Sequence, residues 1–402
     1  METVILGWYV MVQTGSVLLL TAFGSLLLLG TLVSPMFGDR LGGRVMLCVM
    51  RAIYTVLAAF VLLLTLTGSL APVWVFVVAT LAGIVRPNDQ VMRNALIGET
   101  IPPAHLMGAV GLSRATMDSA RVAGALAGAA LSTILGIGPT YVLVTSFYAT
   151  SLALTFGVAR RPLVPDPGGT PRAVSAVVSI AVPTSSRRRD LKDGLLHVLR
   201  TPELLAMMWL AFLINLTAYP VSSGLLPYVA KHVYLVGATG LGWLAASFAF
   251  GSLLGSIVTV VTGGPRRPER SMLVYTAIWY AVLLGFGHVR GLGLGLPALL
   301  LAGFVQSVAM IAMTANLIAA SDVRFRGRVM GVRTLAIYGM PLGLMTSGAL
   351  IERIGYPLTI SAFSAVGLLF TLLIGIKWRA SLWQQRAQYD LDTAPHSRVG
   401  SG

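Results

Sequence analysis

The 402-residue chain is 56% hydrophobic and only 11% charged, whereas a soluble domain carries roughly 25% charged residues. We therefore predict a chain embedded in a bilayer, with no sizeable soluble catalytic domain. The net charge of +15 would suggest nucleic acid, but the basic residues lie at the ends of apolar runs, as the positive-inside rule describes. Nucleic acid is therefore excluded as a partner, and the single cysteine, Cys48, excludes an intramolecular disulfide.

The first 160 residues contain apolar runs of the length that crosses a bilayer, about 20 residues each. They are preceded by a shorter apolar run, residues 4–12, which offers only about half a crossing. Because this segment lacks the basic start and the cleavage site of a signal peptide, we interpret it as a truncated first helix. The full-length runs are 17–36, 45–66, 73–96, 106–131 and 141–158.

A polar segment follows, rich in Pro and Gly and carrying three consecutive arginines from Arg187 to Arg189. Its end is predicted to form a short amphipathic helix at the membrane face. The second set of apolar runs is 204–229, 241–261, 272–286, 299–318, 330–350 and 358–376. The predicted organisation is an N-terminal bundle (1–160), a cytoplasmic linker (161–200), a C-terminal bundle (201–380) and a disordered tail (381–402).

The distribution of basic residues predicts the orientation of the chain. If the linker is cytoplasmic, only Lys231, Arg290 and Arg353 fall on outer connections. We therefore expect a multi-pass protein of the bacterial inner membrane, with the linker and both termini in the cytoplasm when the first helix is complete.

An internal repeat is visible at an interval of about 220 positions. Residues 106–110 are echoed by 329–332, and residues 135–139 by 353–357, while Asn94 and Asn316 keep the same interval. Two homologous six-span halves in parallel orientation explain these echoes. Chance matching of glycine-rich membrane helices is the alternative.

The connection after the second span contains an Asp-Arg pair followed by Gly and then Arg. The four residues are Asp39, Arg40, Gly42 and Arg44. They resemble the signature Gly-x-x-x-Asp-Arg-x-Gly-Arg-Arg of the major facilitator superfamily, with Pro35 in place of the leading Gly and Gly43 in place of the first terminal Arg. The resemblance implies an all-α polytopic membrane protein of two six-helix bundles with pseudo-twofold symmetry. It also implies a gating role for these four residues, because the Asp of that family holds cytoplasmic helix ends together in one state.

Two glycine-rich stretches are similar to the antiporter signature Gly-Pro-x-x-Gly. The first has Gly124 and Gly128, with Ala125 in place of Pro. The second comprises Gly339, Pro341 and Gly343. Close helix packing through small residues explains the same pattern, and the two interpretations are compatible.

The segment from 86 to 128, with Arg86-Pro87, Arg93 and Arg121-x-x-Gly124, resembles the exporter branch that contains siderophore and macrolide efflux proteins. This resemblance implies efflux and antiport. It does not identify a substrate.

Two neighbouring spans carry charges at helical spacing, so that each trio lies on one helical face. An ionisable group at the centre of a membrane helix costs about 2.5–3.5 kcal/mol on insertion scales, so we expect these groups to face a cavity or one another. The trios are Arg86, Asp89 and Arg93, and Arg114, Asp118 and Arg121. The excess of arginine predicts an anionic or zwitterionic substrate, since guanidinium groups suit carboxylate and phosphate. A charge network that only locks the two helices is the alternative.

Other polar residues in the spans are weaker candidates for the same pathway, because interhelical hydrogen bonds explain them equally well. These residues are Asn94, Arg333, Tyr338, Asn215, Tyr219, Gln306 and Asn316. Asp89 and Asp118 are the candidate proton carriers, although neighbouring arginines oppose protonation.

No phosphate-binding loop, no metal-ligand spacing among the five histidines and no nucleophile motif occurs in the sequence. We therefore predict no cofactor, no metal and no enzyme. The predicted function is secondary active transport by a monomer, with proton-coupled efflux of an anionic, zwitterionic or amphipathic small molecule. The alternatives are an importer of the same fold and a non-transport membrane protein such as a scramblase or an intramembrane enzyme.

Overall fold

A computed structural model describes residues 1–28, 43–85, 106–157, 195–265, 267–321, 329, 332–333 and 335–379. These residues form helices and no strand. The first six helices are α1 (Glu2–Thr14), α2 (Val17–Leu26), α3 (Gly43–Leu66), α4 (Pro72–Val85), α5 (Leu106–Ile134) and α6 (Ile137–Phe156). Six more are α7 (Pro202–Val233), α8 (Ala238–Val261), α9 (Pro268–Phe286), α10 (Leu292–Ala320), α11 (Gly339–Ile354) and α12 (Tyr356–Lys377). Residues 195–200, before α7, are also helical.

Each predicted apolar run overlaps one of these helices, and the shorter run at the start coincides with α1. The run predicted at 330–350 starts before α11, which begins at Gly339, in an interval that is only partly described. The described residues include six helices that are long and apolar enough to cross a membrane. With its 13 residues, α1 is about 20 Å long at 1.5 Å per residue. The runs predicted at 17–36 and 73–96 continue beyond α2 and α4 into residues outside the described part of the chain.

Helix α9 begins four residues before its predicted run, and α10 begins seven residues before its own. The early start of α9 has a local cause, because Pro268 occupies the first helical position and Glu269 lies in the first turn. Proline is favoured there since its missing N–H has no intrahelical partner to lose, and an acidic side chain favours the positive end of the helix dipole.

Helix α7 departs from regular α-helical geometry in three places. Its π-helical turns are Ile214–Ala218, Pro220–Gly224 and Val229–Val233. Within the second turn, the amide of Leu225 donates to the carbonyl of Pro220, five residues earlier, at 2.9 Å. A proline removes a backbone donor and crowds the preceding turn, so the wider turns are consistent with Pro220 and Pro227. The apolar run at 204–229 predicts a span here, and hydropathy carries no signal for this irregularity.

The helices pack as two related sets. Helix α3 packs on α6 in the first half, and α9 packs on α12 in the second. Gly136 and Gly355, which precede α6 and α12, adopt nearly the same backbone conformation, with φ 80°, ψ 177° and φ 83°, ψ 166° respectively. Only glycine adopts a positive φ of this kind without strain, so the sequence echo at these positions reports the same turn in both halves.

The halves meet along two helix pairs, which we call the two seams: α2 with α11, and α5 with α8. Small residues let the backbones approach at both. A Cβ atom on Gly242 of α8 would overlap Ala129 of α5, and one on Gly348 of α11 would overlap Thr21 of α2. Membrane helices associate through such close contacts, because hydrocarbon supplies no hydrophobic force between them.

A close crossing within the second half joins α8 to α10. A Cβ atom on Gly251 would overlap the carbonyl oxygen of Leu300, and a Cβ atom on Gly303 would overlap the carbonyl oxygen of Phe248. The two backbones are therefore in direct contact, and neither carbonyl belongs to a flexible side chain that moves aside.

We predict that Gly251→Ala destabilises the protein by about 1–3 kcal/mol, the usual cost of overpacking. The measurement is the thermal unfolding midpoint of purified protein in detergent. Gly285→Ala on α9 is the matched control, since a Cβ atom there meets no neighbour within 4 Å. Equal midpoints for the two variants would contradict the packing argument.

Candidate functional site

Much of the charged site predicted in the first half lies outside the described residues. Arg86, Asp89, Arg93 and Asn94 fall there, as do Asp39, Arg40 and Gly42 of the predicted gating motif. Arg44 and Arg114 lie in α3 and α5, where only their backbone is described. The roles predicted for these residues stay predictions.

Asp118 and Arg121 are the members of the predicted site whose side chains are described in the first half. Asp118 is only 3% exposed. Arg121 Nη1 donates to its Oδ1 at 3.3 Å, one turn further along α5. The side chain of Arg121 is 60% exposed although the residue lies near the middle of the 29-residue helix. A buried carboxylate thus has a largely exposed guanidinium as a counter-ion.

The two glycine motifs lie where helices approach closely. Gly124 and Gly128 of α5 pack against Met1, at the start of α1. Gly339 and Gly343 of α11 pack against the backbone of α7 at Phe212 and Leu216. Each pair therefore contacts the first helix of its own half. This arrangement agrees with the packing interpretation, and the antiporter-like role of the motifs stays a prediction.

Pro341, between the two glycines of α11, also takes part in a seam. The hydroxyl of Ser25 on α2 donates to the carbonyl oxygen of Thr21 at 2.8 Å and also lies 3.2 Å from the carbonyl oxygen of Pro341. The motif on α11 consequently contacts α7 on one side and α2 on the other.

Polar side chains of the second half connect α7 to α10. The amide of Gln306 on α10 donates to the hydroxyl of Tyr219 on α7 at 2.9 Å. The ring of Tyr219 in turn packs edge-on against Trp279 of α9, with 5.3 Å between centroids. Asn215 lies one turn before Tyr219, half-buried, and its amide donates to the carbonyl oxygen of Ala211 at 2.9 Å. The structure therefore brings Gln306 and Tyr219 into direct contact, whereas the side chain of Asn215 bonds within its own helix.

Arg333 also contacts α10, further along that helix. Its Nη1 donates to the hydroxyl of Thr314 at 2.9 Å, and that hydroxyl donates to the carbonyl oxygen of Met310 at 2.8 Å. Thr314 lies eight residues beyond Gln306 on α10, or about 12 Å along the helix axis. Thr314 could not be selected from the sequence, because threonine hydroxyls in membrane helices commonly bond to the carbonyl four residues earlier.

Asn316 is placed apart from these residues. It follows Thr314 by two positions, which turns it to a different face of α10. Asn316 is only 2% exposed, and its Nδ2 has no hydrogen-bond partner among the described residues. Its predicted place in the pathway therefore remains a prediction.

The described surface also contains a largely apolar cleft of about 270 Å³ between α1, α5 and the first residue of α8. No residue of the predicted charged site lines it. The cleft is therefore separate from both the Asp118–Arg121 pair and the polar residues of α7 and α10.

Comparison with known proteins identifies the family. Residues 3–337 match the model of the Major Facilitator Superfamily. The chain belongs to the major facilitator superfamily. It is therefore a multi-pass membrane transporter of small molecules and not an enzyme, and the predicted fold class is confirmed. A search of curated proteins finds no match.

Two solved structures show the same fold at low sequence identity. The human organic anion transporter MFSD10 (TETRAN) is 17% identical, with a TM-score of 0.59 over 89% of this chain and 83% of that chain. A POT family transporter in complex with 5-aminolevulinic acid is 13% identical, with a TM-score of 0.65 over 92% of this chain and 88% of that chain. At these identities the likeness shows the fold alone.

We predict that the Gln306–Tyr219 hydrogen bond stabilises the α7–α10 contact. Tyr219→Phe and Gln306→Met should each lower the thermal unfolding midpoint, and the double variant should lower it by less than the sum. The expected coupling is about 0.6 kcal/mol, the average for interhelical hydrogen bonds in membranes. The measurement is a double-mutant cycle on purified protein in detergent.

The control for this cycle pairs Gln306→Met with Tyr9→Phe, which removes a hydrogen bond to the carbonyl oxygen of Leu70 in the other half. The stability changes caused by substitutions at distant sites are additive, so this pair should show no coupling. Additive effects of Tyr219→Phe and Gln306→Met would contradict the stabilising role of their bond.

Proposed function

We propose that this transporter moves an anionic or zwitterionic compound by alternating access, with proton coupling, across the bacterial inner membrane. The resemblance of residues 86–128 to exporters favours efflux as the direction. The observation that carries the substrate charge and the coupling, though not the direction, is the Asp118–Arg121 pair on α5, since α5 also forms one of the two seams between the halves.

The exposure of Arg121 supports an aqueous cavity beside α5. A guanidinium at the middle of a membrane helix is costly when it faces hydrocarbon. Since the Arg121 side chain is 60% exposed, the surface next to it is best explained as water-filled. A guanidinium that lines such a cavity is available to a carboxylate or phosphate of the substrate.

The charge of the substrate follows from the same residue. Arg86, Arg93 and Arg114 are proposed to share the cavity with Arg121, which would leave an excess of positive charge there. The ligand classes in the names of the two structural relatives, an organic anion and an amino acid, agree with this proposal. Those relatives share only the fold, so the proposal depends on the arginines.

Asp118 is the proposed proton carrier. Its carboxylate accepts a hydrogen bond from the Arg121 guanidinium at 3.3 Å. An anion on Arg121 and a proton on Asp118 are linked through this contact, because each changes the charge beside the other's site. Anion and proton binding then support each other, which favours movement of both in one direction.

This linkage favours a second candidate, proton-coupled uptake by the same fold. Efflux by antiport requires the proton and the substrate to bind in alternation, whereas the Asp118–Arg121 geometry favours joint binding. Flux under imposed proton gradients distinguishes the two directions, because antiport and cotransport respond to a given gradient with opposite signs.

We predict saturable uptake of organic anions by proteoliposomes that contain the purified protein, with a rate that changes when the pH gradient is reversed. Empty liposomes are the control. Permeation that shows no saturation and ignores the gradient would instead indicate a scramblase or another non-transport protein.

We predict that Arg121→Gln weakens the apparent affinity for the transported anion by about tenfold or more, the loss expected for a hydrogen bond between charged groups. Arg353→Gln, at an exposed position at the end of α11, is the matched control and should leave the affinity unchanged. An unchanged affinity in Arg121→Gln, with normal expression, would favour a purely structural charge network.

We predict that Asp118→Asn retains exchange of the anion across the membrane but loses the response to a pH gradient, because the amide carries no titratable proton. Counterflow and gradient-driven flux are measured on the same preparation. A gradient response equal to that of the unsubstituted protein would exclude Asp118 as the proton carrier.

A further inference from the structure

Short turns join the described helix pairs at one end of the molecule. They connect α1 to α2, α3 to α4, α5 to α6, α7 to α8, α9 to α10 and α11 to α12. Hydrogen bonds connect neighbouring turns: Tyr9 of α1 donates to the carbonyl oxygen of Leu70 between α3 and α4, and His288 between α9 and α10 bonds to Ser361 of α12. We call this end the short-turn end. The predicted orientation places it at the outer face of the membrane.

Lys231 connects the two halves at the short-turn end. It lies in the last turn of α7, and its ammonium donates to the carbonyl oxygens of Met11 at 2.8 Å and Val12 at 3.4 Å. These carbonyls belong to the last turn of α1, which ends at Gly15 in the left-handed conformation. The last carbonyls of a helix carry partial negative charge, so a cation there is favourable. A charged side chain of the second half of the molecule therefore binds the C-terminus of α1 in the first half.

Two further polar contacts join the halves at this end. The hydroxyl of Ser16, which caps α2, donates to Oε1 of Glu352 on α11 at 3.3 Å. The hydroxyl of Thr239 on α8 donates to that of Thr133 on α5 at 3.2 Å. These contacts lie next to the α2–α11 and α5–α8 seams, so separation of the halves at the short-turn end has to break them.

We propose that Lys231 is a latch. The hydrogen bonds from its ammonium group to the α1 carbonyls hold the short-turn end closed, and this end opens only when these bonds break. This inference rests on the proposed alternating access, in which the short-turn end opens in one state. The acceptors are backbone atoms, which leaves Lys231 as the exchangeable member of the contact. Its loss removes these two hydrogen bonds between the halves.

The other cations at this end provide a contrast. Arg290, in the turn between α9 and α10, and Arg353, at the end of α11, are exposed, and neither makes a hydrogen bond or ion pair to the first half within the described residues. Arg290 therefore serves as a matched control, with the same charge at the same end.

The test measures how often the short-turn end opens. Thr21 of α2 is fully buried against Gly348 of α11, five residues from the cap of α2. In a Cys48→Ala background, which removes the single native thiol, Thr21→Cys places one thiol in the seam. A membrane-impermeant maleimide, applied to intact cells and to inverted vesicles, should modify it only after α2 and α11 separate.

We expect Lys231→Met to raise the modification rate about two- to fivefold, the range for loss of an exposed charge at a helix end. Lys231→Arg should react at the rate of the parent protein, and so should Arg290→Met. A rate in Lys231→Met equal to that in Arg290→Met would overturn the latch, and so would a thiol that stays unreactive in every variant while transport persists.

A second measurement tests the latch without the Thr21→Cys variant, in case that variant does not fold. Thr133→Cys with Thr239→Cys, in the same background, forms a disulfide only while α5 and α8 are in contact at this end. Lys231→Met should slow its formation relative to Arg290→Met, and equal rates would overturn the latch.

A transport assay distinguishes failure of the latch from failure of the proposed function. Saturable, gradient-driven flux together with an unchanged thiol rate in Lys231→Met would leave the proposed function standing and the latch refuted. A raised thiol rate with no such flux in the parent protein would support the latch and refute the proposed function.

Discussion

Close approach of helix backbones at small residues is the constraint on which the rest of this structure depends. A bilayer requires every backbone polar group to be satisfied within the chain, which helices achieve, but it supplies no hydrophobic force to hold one helix against the next. Van der Waals contact has to do so, and it needs short distances. Gly251 and Gly303 provide them within the second half, whereas Gly242 and Gly348 provide them at the two seams.

The seam helices also carry the charged groups of the candidate site. Helix α5 packs on α8 and bears the Asp118–Arg121 pair, while α11 packs on α2 and is preceded by Arg333, which reaches Thr314. A change in the charge or ligand state at either place therefore acts on a helix that joins the halves. This coincidence of the proposed binding groups with the seam contacts offers a physical route from substrate binding to relative movement of the halves.

Helix α7 extends from the Tyr219–Gln306 contact to the short-turn end. Tyr219 and its bond to Gln306 lie among the π-helical turns, and Lys231 lies in the last of them. Such turns break the regular hydrogen-bond ladder and recur at functional sites in other helices. A helix with several such turns can bend locally and still pass a displacement from one segment to the next. A displacement near Tyr219 can therefore reach Lys231 along the same helix.

The sequence by itself determined the class of protein, the positions of the helices and the repeat, because hydropathy, span length and turn glycines such as Gly136 and Gly355 are local properties. It also selected Asp118, Arg121 and Arg333, since charges in apolar helices stand out. Only the tertiary structure decided their partners: Thr314 for Arg333, Tyr219 for Gln306, and the α1 carbonyls for Lys231. The rotation and crossing of each helix set these pairs, and packing between distant segments fixes both.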